Sequence, residues 1–362
     1  MISFEPSPDE LALRDVVHRF ATEKMRPLLR VAEEAGVPDR LASEFRELGL
    51  GLMTLPAAVG GADLGARAIA VIEEELAWGD PGLAVAFPRP GLAGHVVAAL
   101  EVSLHERWLA PFASDAAVSA AAAVRGGGQG IGARVDGDQI VLSGACDLVQ
   151  AERADWLLMA ARLDGALALV GIKHGTPGSA FTPDQHRLGL RTASFGRLVL
   201  DECRLPASAL LATGTAAERA LRHGFQRELV TYGAWAVGTG RAAFEYAARY
   251  ATERQAFGRP IAEHQAVAFM VAEMGIGIEA ARGLTWHAAW ALDAGEAAAG
   301  DLTTAAALAA GEASVRVTSD AVQVLGGHGY IQDHPVEKWM RDARTLANLI
   351  NEIAGPQGLA GP

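Results

Sequence analysis

Arg254-Gln255-Ala256-Phe257-Gly258-Arg259-Pro260-Ile261, with His264-Gln265 close behind, and Gln323-Val324-Leu325-Gly326-Gly327-His328-Gly329-Tyr330 are the two stretches that decide how this 362-residue chain reads. Gly326, Gly327 and Gly329 carry no Cβ, so backbone N–H groups there can approach a bound anion closely. Arg254 adds a planar cationic fork suited to phosphate oxygens. Taken singly, an Arg at a helix end is a cap or a surface charge, and Gly-Gly-x-Gly is a turn. Together, with two helical segments between them, they predict a cradle for a pyrophosphate.

The sequence around these stretches is helical. Long patterns over residues 216–254, 261–294, 303–325 and 336–350, joined by short connections, predict an antiparallel four-helix bundle filling residues 214–362. Residues 113–213 have a different texture. Gly126-Gly127-Gly128-Gln129-Gly130 breaks the chain, and short strand-like runs follow at 133–135, 139–142, 156–161, 167–172 and 198–200. Turn signals such as Asp136-Gly137-Asp138 and Asp164-Gly165 separate them, which predicts a compact β domain. Residues 1–112 return to helix. Ser7-Pro8-Asp9-Glu10 reads as a capping box with Pro at the first helical position. Leu13, Val16, Val17 and Phe20 then form an amphipathic stripe, and more helices are predicted near 41–50 and 66–78. The predicted fold class is mostly α with a central β domain.

Composition narrows the function. A chain that is 50% hydrophobic and 20% charged is a globular protein, and heavy use of Ala with only 6% aromatics suits helix. The net charge of −12 argues against nucleic acid and anionic membrane as partners. Cys146 and Cys203 show no C-x-x-C spacing and read as thiols of a reducing compartment. The first residues lack the basic and apolar regions of a signal peptide. The apolar stretch 83–100 is interrupted by Pro88, Arg89 and Pro90, so no membrane span is predicted, and the expected location is cytoplasmic. No G-x-G-x-x-G, Walker A or His/Cys metal spacing is present, so no metal is expected.

The order α, β, α and the wording of the C-terminal third resemble the acyl-CoA dehydrogenase family. Arg254 to Ile261 with Gln265 is similar to its R-x-x-F-G-x-x-I-x-x-x-Q signature, and Gln323 to Tyr330 to its Q-x-x-G-G-x-G-Y turn. Pro335-Val336-Glu337 with Arg341-Asp342, and Leu188-Gly189-Leu190-Arg191 through Pro206, match further stretches in order and spacing. The resemblance implies an N-terminal helical domain, a middle β-barrel domain and a C-terminal bundle. It implies FAD as cofactor, with Arg254, Phe257 and Gln265 touching the FAD of a neighbouring subunit. Gln323, Gly326 and Gly327 would complete the pyrophosphate cradle. It further implies an acyl-CoA substrate, an electron-transfer flavoprotein as acceptor, and an oligomer, commonly a tetramer.

The family's reaction takes an α-proton with a carboxylate while the β-hydrogen leaves as hydride to flavin, and hydrogen bonds hold the thioester oxygen. In most members the base is a Glu shortly after the R-D pair. That spacing lands here on Ile350, which cannot take a proton. Glu352 lies two residues on, where a helix or turn is expected to point it elsewhere. Isovaleryl-CoA and long-chain members place the base on the first bundle helix, and the matching position is Glu228. Tyr232 and Trp235 share its helix face, so burial is expected to raise its pKa. The alternative is a surface pairing with Arg222 or Arg227. Ile350 is expected to keep the backbone N–H that binds the thioester oxygen.

Other positions depart from the family. Val124-Arg125-Gly126-Gly127-Gly128 stands where a T-E-P-x-x-G-S-D loop is usual. Leu148 replaces an aromatic beside the flavin, and Gln150 replaces a hydroxyl near N5, where its amide still donates. Gln226 and Leu229 replace an Asp and an Arg of the substrate region. The readings are therefore a dehydrogenase for a branched or bulky acyl-CoA, a half-site subunit paired with a homologous partner, or a flavin oxidase or monooxygenase on the same fold.

Overall fold

Helix α1 (Pro8–Phe20) begins where the capping box predicts: Ser7 Oγ accepts the Glu10 amide at 3.2 Å and the Glu10 carboxylate accepts the Ser7 amide at 2.6 Å. The computed structural model describes residues 6–114, 118–123, 130–149, 154–184 and 186–354. After α1 come α2 (Leu29–Ala35), α3 (Asp39–Glu47), α4 (Ala66–Gly79), α5 (Pro81–Ala86), α6 (Gly91–Ala98), α7 (Val102–Trp108) and α8 (Ala110–Ser114). No helix among the described residues is long and apolar enough to cross a membrane.

The strands are β1 (Ala120–Ala123), β2 (Ile131–Asp136), β3 (Gln139–Val149), β4 (Trp156–Leu163), β5 (Ala166–Lys173), β6 (Ser179–Pro183), β7 (Phe195–Pro206) and β8 (Leu210–Thr213). They form one mixed sheet in the order β6-β7-β3-β2-β4-β5-β8, with β1 running parallel beside β4. Ile131, Leu142, Leu157, Val170, Leu198 and Cys203, drawn from across this sheet, meet in one apolar core. The strands exceed the predicted runs. Four alanines in β1 give no alternation to read and are poor strand formers, so pairing to Trp156–Met159 decides their conformation.

The bundle consists of α9 (Gly214–Glu253), α10 (Gln265–Asp293), α11 (Ala299–Leu325) and α12 (Val336–Ala354). Helix α10 starts later than the pattern predicts, because a short hairpin (Gln255–Ala256 with Arg259–Pro260) and a 3-10 turn (Ile261–Glu263) precede it. Val17, Phe20 and Leu76 share one core with Leu229, Trp235 and Trp339, so the first helices and the bundle pack as one body.

Buried charges fix that packing. Lys338 of α12, wholly buried, donates to Asp80 at 2.6 Å and to Asp342 at 2.7 Å. Asp80 also caps α5 through the Leu83 amide, and Asp342 accepts the Leu190 amide at 2.6 Å from the loop before β7. Next to it Arg341 donates to Glu33 of α2 at 2.6 Å and to the Leu188 carbonyl. A Cβ at Gly189 would lie 2.1 Å from the Arg341 carbonyl, so only Gly lets the loop come this close. Helix α12 thus binds the N-terminal helices and the sheet domain at one point.

Glu73, Glu74 and Glu75 of α4 are consecutive and all buried, which on a helix means cover on every side. Glu74 accepts from Arg241 at 2.6 Å and from Arg282 at 3.0 Å, and Glu75 accepts from Arg241 and His18. Glu73 accepts the Trp235 indole at 2.6 Å and pairs with Arg89.

Substituting Lys338→Met leaves two buried carboxylates without their counter-charge. The expected cost is about 3–5 kcal/mol, measured as a lower urea midpoint. Adding Asp342→Asn, which still accepts the Leu190 amide, recovers part of it.

Candidate active site

Helix α9 carries Glu228 inward because its neighbours at i+4 and i+7, Tyr232 and Trp235, belong to the core stripe that packs on α4. The two rings stack with centroids 5.1 Å apart. Glu228, 7% exposed, lies with them in the wall of a cavity of about 290 Å³ bounded also by Phe87, Arg89 and Leu349. The surface pairing with Arg222 or Arg227 is therefore not the arrangement found. Burial pushes the Glu228 carboxyl up to about 7; the charge of Arg89 opposes this, Glu73 adds to it, and a hydrogen bond from Tyr232 opposes it. His95 Nε2 stands 3.9 Å from Glu228, and burial with the nearby Arg227 lowers its pKa to about 3, so it faces the carboxyl as a neutral ring. A buried carboxyl titrating near neutral pH in the wall of such a cavity is suited to taking a proton from carbon.

Two expectations change. Ile350, 1% exposed, lies inside α12, which runs on to Ala354; an amide in that position has the carbonyl four residues back as its partner. It is not presented as a free donor to a thioester oxygen. Glu352, expected to point elsewhere, lines the same cavity as Glu228 from an exposed position two residues further along α12. Arg89, Glu73 and His95 were not singled out from the sequence. The signal for Arg89 was present: a single charge between two prolines within an otherwise apolar stretch.

The second group of predicted residues lies elsewhere on the chain. Arg254 ends α9, with its amide on the Tyr250 carbonyl at 2.8 Å, and lines an open depression with Tyr250, Gly326 and Gly327. Gly326 has φ +59°, and nothing stands within 4 Å of where a Cβ would be at Gly326 or Gly327, so the backbone faces open space. Gln323, exposed, accepts the Gly326 amide through its carbonyl in the last turn of α11. Phe257 sits at the hairpin tip, 96% exposed with φ +53°, and Gln265 opens α10, also exposed. None of these lines the Glu228 cavity. Gln150 and Val124 to Gly128 lie outside the described residues, and Leu148 pairs with Gly196 within the sheet.

The acyl-CoA dehydrogenase N-terminal domain model matches residues 7–116 and the C-terminal domain model residues 218–349. The chain belongs to the acyl-CoA dehydrogenase family. Cyclohex-1-ene-1-carbonyl-CoA dehydrogenase of Geobacter metallireducens is 32% identical over 96% of this chain and 97% of its own length. The mitochondrial short-chain specific acyl-CoA dehydrogenase of Bos taurus is 30% identical over 92% of this chain and 84% of its own. Among solved structures, a putative acyl-CoA dehydrogenase from Mycobacterium smegmatis matches with TM-score 0.85 and 26% identity over 99% of this chain and all of that one. The family's cofactor is FAD. The Arg254 fork beside the open backbone at Gly327 fits its pyrophosphate, by the chemistry of both donors.

The raised Glu228 pKa has a consequence for stability. The folded value lies above the unfolded one, so the native state holds the proton longer. Its contribution therefore falls as pH rises from about 4.5 through 7. Glu228→Gln is expected to be more stable than the parent at pH 8, by on the order of 3 kcal/mol, with the gain vanishing toward acid. Thermal melts across pH check this.

Proposed function

We propose that this chain is an FAD-dependent acyl-CoA dehydrogenase in which Glu228 takes the α-proton of a short or compact acyl thioester. The observation that supports it most is the buried Glu228 carboxyl, titrating near 7 in the wall of the acyl-sized cavity. When bound, FAD supplies the acceptor for the β-hydride. Residues Arg254, Gln323, Gly326 and Gly327 would hold its pyrophosphate, with Phe257 and Gln265 beside it.

The protein's own part is proton chemistry. Tyr232 hydrogen-bonds the Glu228 carboxylate and so orients it. Tyr232, Trp235 and Phe87 keep water from the reacting carbon. Arg89 offsets the charge of the ionised base, while Glu73 balances Arg89. Proton transfer then leaves a neutral acid in a buried site, which burial favours.

The cavity's modest size and aromatic wall suit a short, branched or cyclic acyl group better than a long straight chain. This agrees with the short-chain and cyclohexenecarbonyl specificities of the relatives. Possession of the carboxyl favours a catalytic chain over a half-site subunit. An electron-transfer flavoprotein is the acceptor this reading implies. The separation of the Arg254 depression from the Glu228 cavity supports self-association. It is also supported by the exposed Phe257, Phe269 and Ile276 at the hairpin and along α10.

The test is anaerobic mixing of the FAD-loaded protein with butyryl-, isovaleryl-, cyclohexanecarbonyl- and palmitoyl-CoA. The compact thioesters are expected to bleach the flavin, and palmitoyl-CoA is not. Glu228→Gln is expected to slow bleaching by roughly 10²–10⁴-fold. In the parent, kcat/KM rises with pH to a plateau with its midpoint at about 7. A pH profile unchanged in Glu228→Gln would assign the proton to another group, Glu352 first.

Arg254→Ala removes charged hydrogen bonds to phosphate and is expected to weaken FAD binding by about 10- to 100-fold, read by flavin fluorescence titration.

A further inference from the structure

The wall of the Glu228 cavity holds a cation with more N–H donors than its protein partners take up. Arg89 stands on the connection between α5 and α6, held between Pro88 and Pro90, with its side chain 13% exposed. One terminal nitrogen donates to Glu73 and the other to the Ala84 carbonyl at 2.6 Å, while Nε is buried with no hydrogen-bond partner. The guanidinium carbon lies 5.5 Å from the ring centres of both Phe45 and Trp235. Arg89 borders the main cavity and an adjoining recess of about 20 Å³ that Glu228, His95 and Thr231 share. A guanidinium has five N–H donors, and a purely alkyl substrate would leave the spare ones dry and unpaired at a cost. An oxygen on the acyl group removes that cost.

The surrounding charges decide which oxygen. Glu73 already neutralises Arg89, Glu228 carries a partial negative charge near neutral pH, and His95 is uncharged. The other ionisable groups of the cavity wall are Asp39, Arg46, Asp147 and Glu352. A carboxylate on the acyl group would bring a further negative charge beside Glu73 and Glu228. A carbonyl or hydroxyl would take the free donors without repulsion.

We propose that Arg89 reads a neutral oxygen on the body of the acyl group, so that the preferred substrate is a compact keto- or hydroxy-substituted acyl-CoA. This rests on the dehydrogenase reading above and deepens it.

The experiment compares cyclohexanecarbonyl-CoA with its derivatives bearing a keto, hydroxy or carboxy group opposite the thioester carbon. Flavin bleaching of the FAD-loaded protein gives kcat/KM for each. Calorimetric titration of the corresponding CoA thioethers, which lack the carbonyl needed for α-proton loss, gives affinity without turnover. The keto or hydroxy member is expected to exceed the parent by about 10- to 100-fold in both readouts, the effect of one hydrogen bond from a charged donor. The carboxy member is expected not to. In Arg89→Lys, which keeps a positive charge for Glu73 but loses the guanidinium's fork of terminal N–H donors, the ratio is expected to fall toward unity.

Equal parent and oxygenated compounds, a preference for the carboxy compound, or an unchanged ratio in Arg89→Lys would each overturn the assignment while leaving the dehydrogenase reading standing. Absence of bleaching by any thioester defeats the dehydrogenase reading instead, and the thioether affinities of the unaltered protein still decide the role of Arg89. If Arg89→Lys does not fold, those same affinities carry the decision.

Discussion

The buried Lys338 ammonium between Asp80 and Asp342 is the point at which the last helix, the N-terminal helices and the sheet domain are tied together. Three charges removed from water are tolerable only when each is paired and the remaining lone pairs are filled, so their geometry admits little slack. The Leu83 amide fills Asp80 and the Leu190 amide fills Asp342. One side chain of the last helix is thereby tied to the junction of α4 and α5 and to the loop entering β7. The register of α12 follows from this, and with it the placement of Leu349 and Ile353 in the cavity wall.

The same residue type serves opposite ends a short distance away. Glu74 and Glu75 are buried but answered by Arg241, Arg282 and His18, so they act as fastenings between α4 and the bundle. Glu73 is answered by Arg89 and the Trp235 indole. Glu228 is buried too, yet its cation is shared with Glu73, and the imidazole beside it is neutral. Desolvation therefore prevails there, and a carboxyl titrating near neutral pH results. Contrast between environments, rather than the presence of a carboxylate, distinguishes the proposed base from the paired glutamates.

Arg254 and the glycine backbone lie together at the far end of α9, away from Glu228 on the same helix. A 40-residue helix is long enough to hold both, and at 1.5 Å per residue their 26 positions of separation amount to roughly 39 Å. A single chain thus holds the Glu228 cavity at one place and the Arg254–glycine depression, the proposed phosphate cradle, at another. Phe257 stands exposed at the hairpin tip that follows Arg254.

By itself the sequence determined the helix–sheet–helix order, the Ser7 cap, the Arg254 and Gly326–Gly327 pairing, and Glu228 as the candidate base. The order and the cap rest on periodicity and capping chemistry, carried by residues near one another in the chain; the Arg254–glycine pairing and Glu228 rest on the resemblance of widely spaced motifs to the family's. Tertiary structure alone decided the rest. The alanines of β1 became a strand only by pairing with β4, since Ala carries no alternation. Glu352 entered the cavity because α12 continues to Ala354, a length no local signal specified. Three consecutive glutamates went inward because their partners come from α1, α9 and α10, distant in sequence. Arg89 was visible as an oddity between two prolines, but its place beside Glu228 was not: burial, and the pKa that burial sets, is a property of everything packed around a residue, which no single stretch of chain contains.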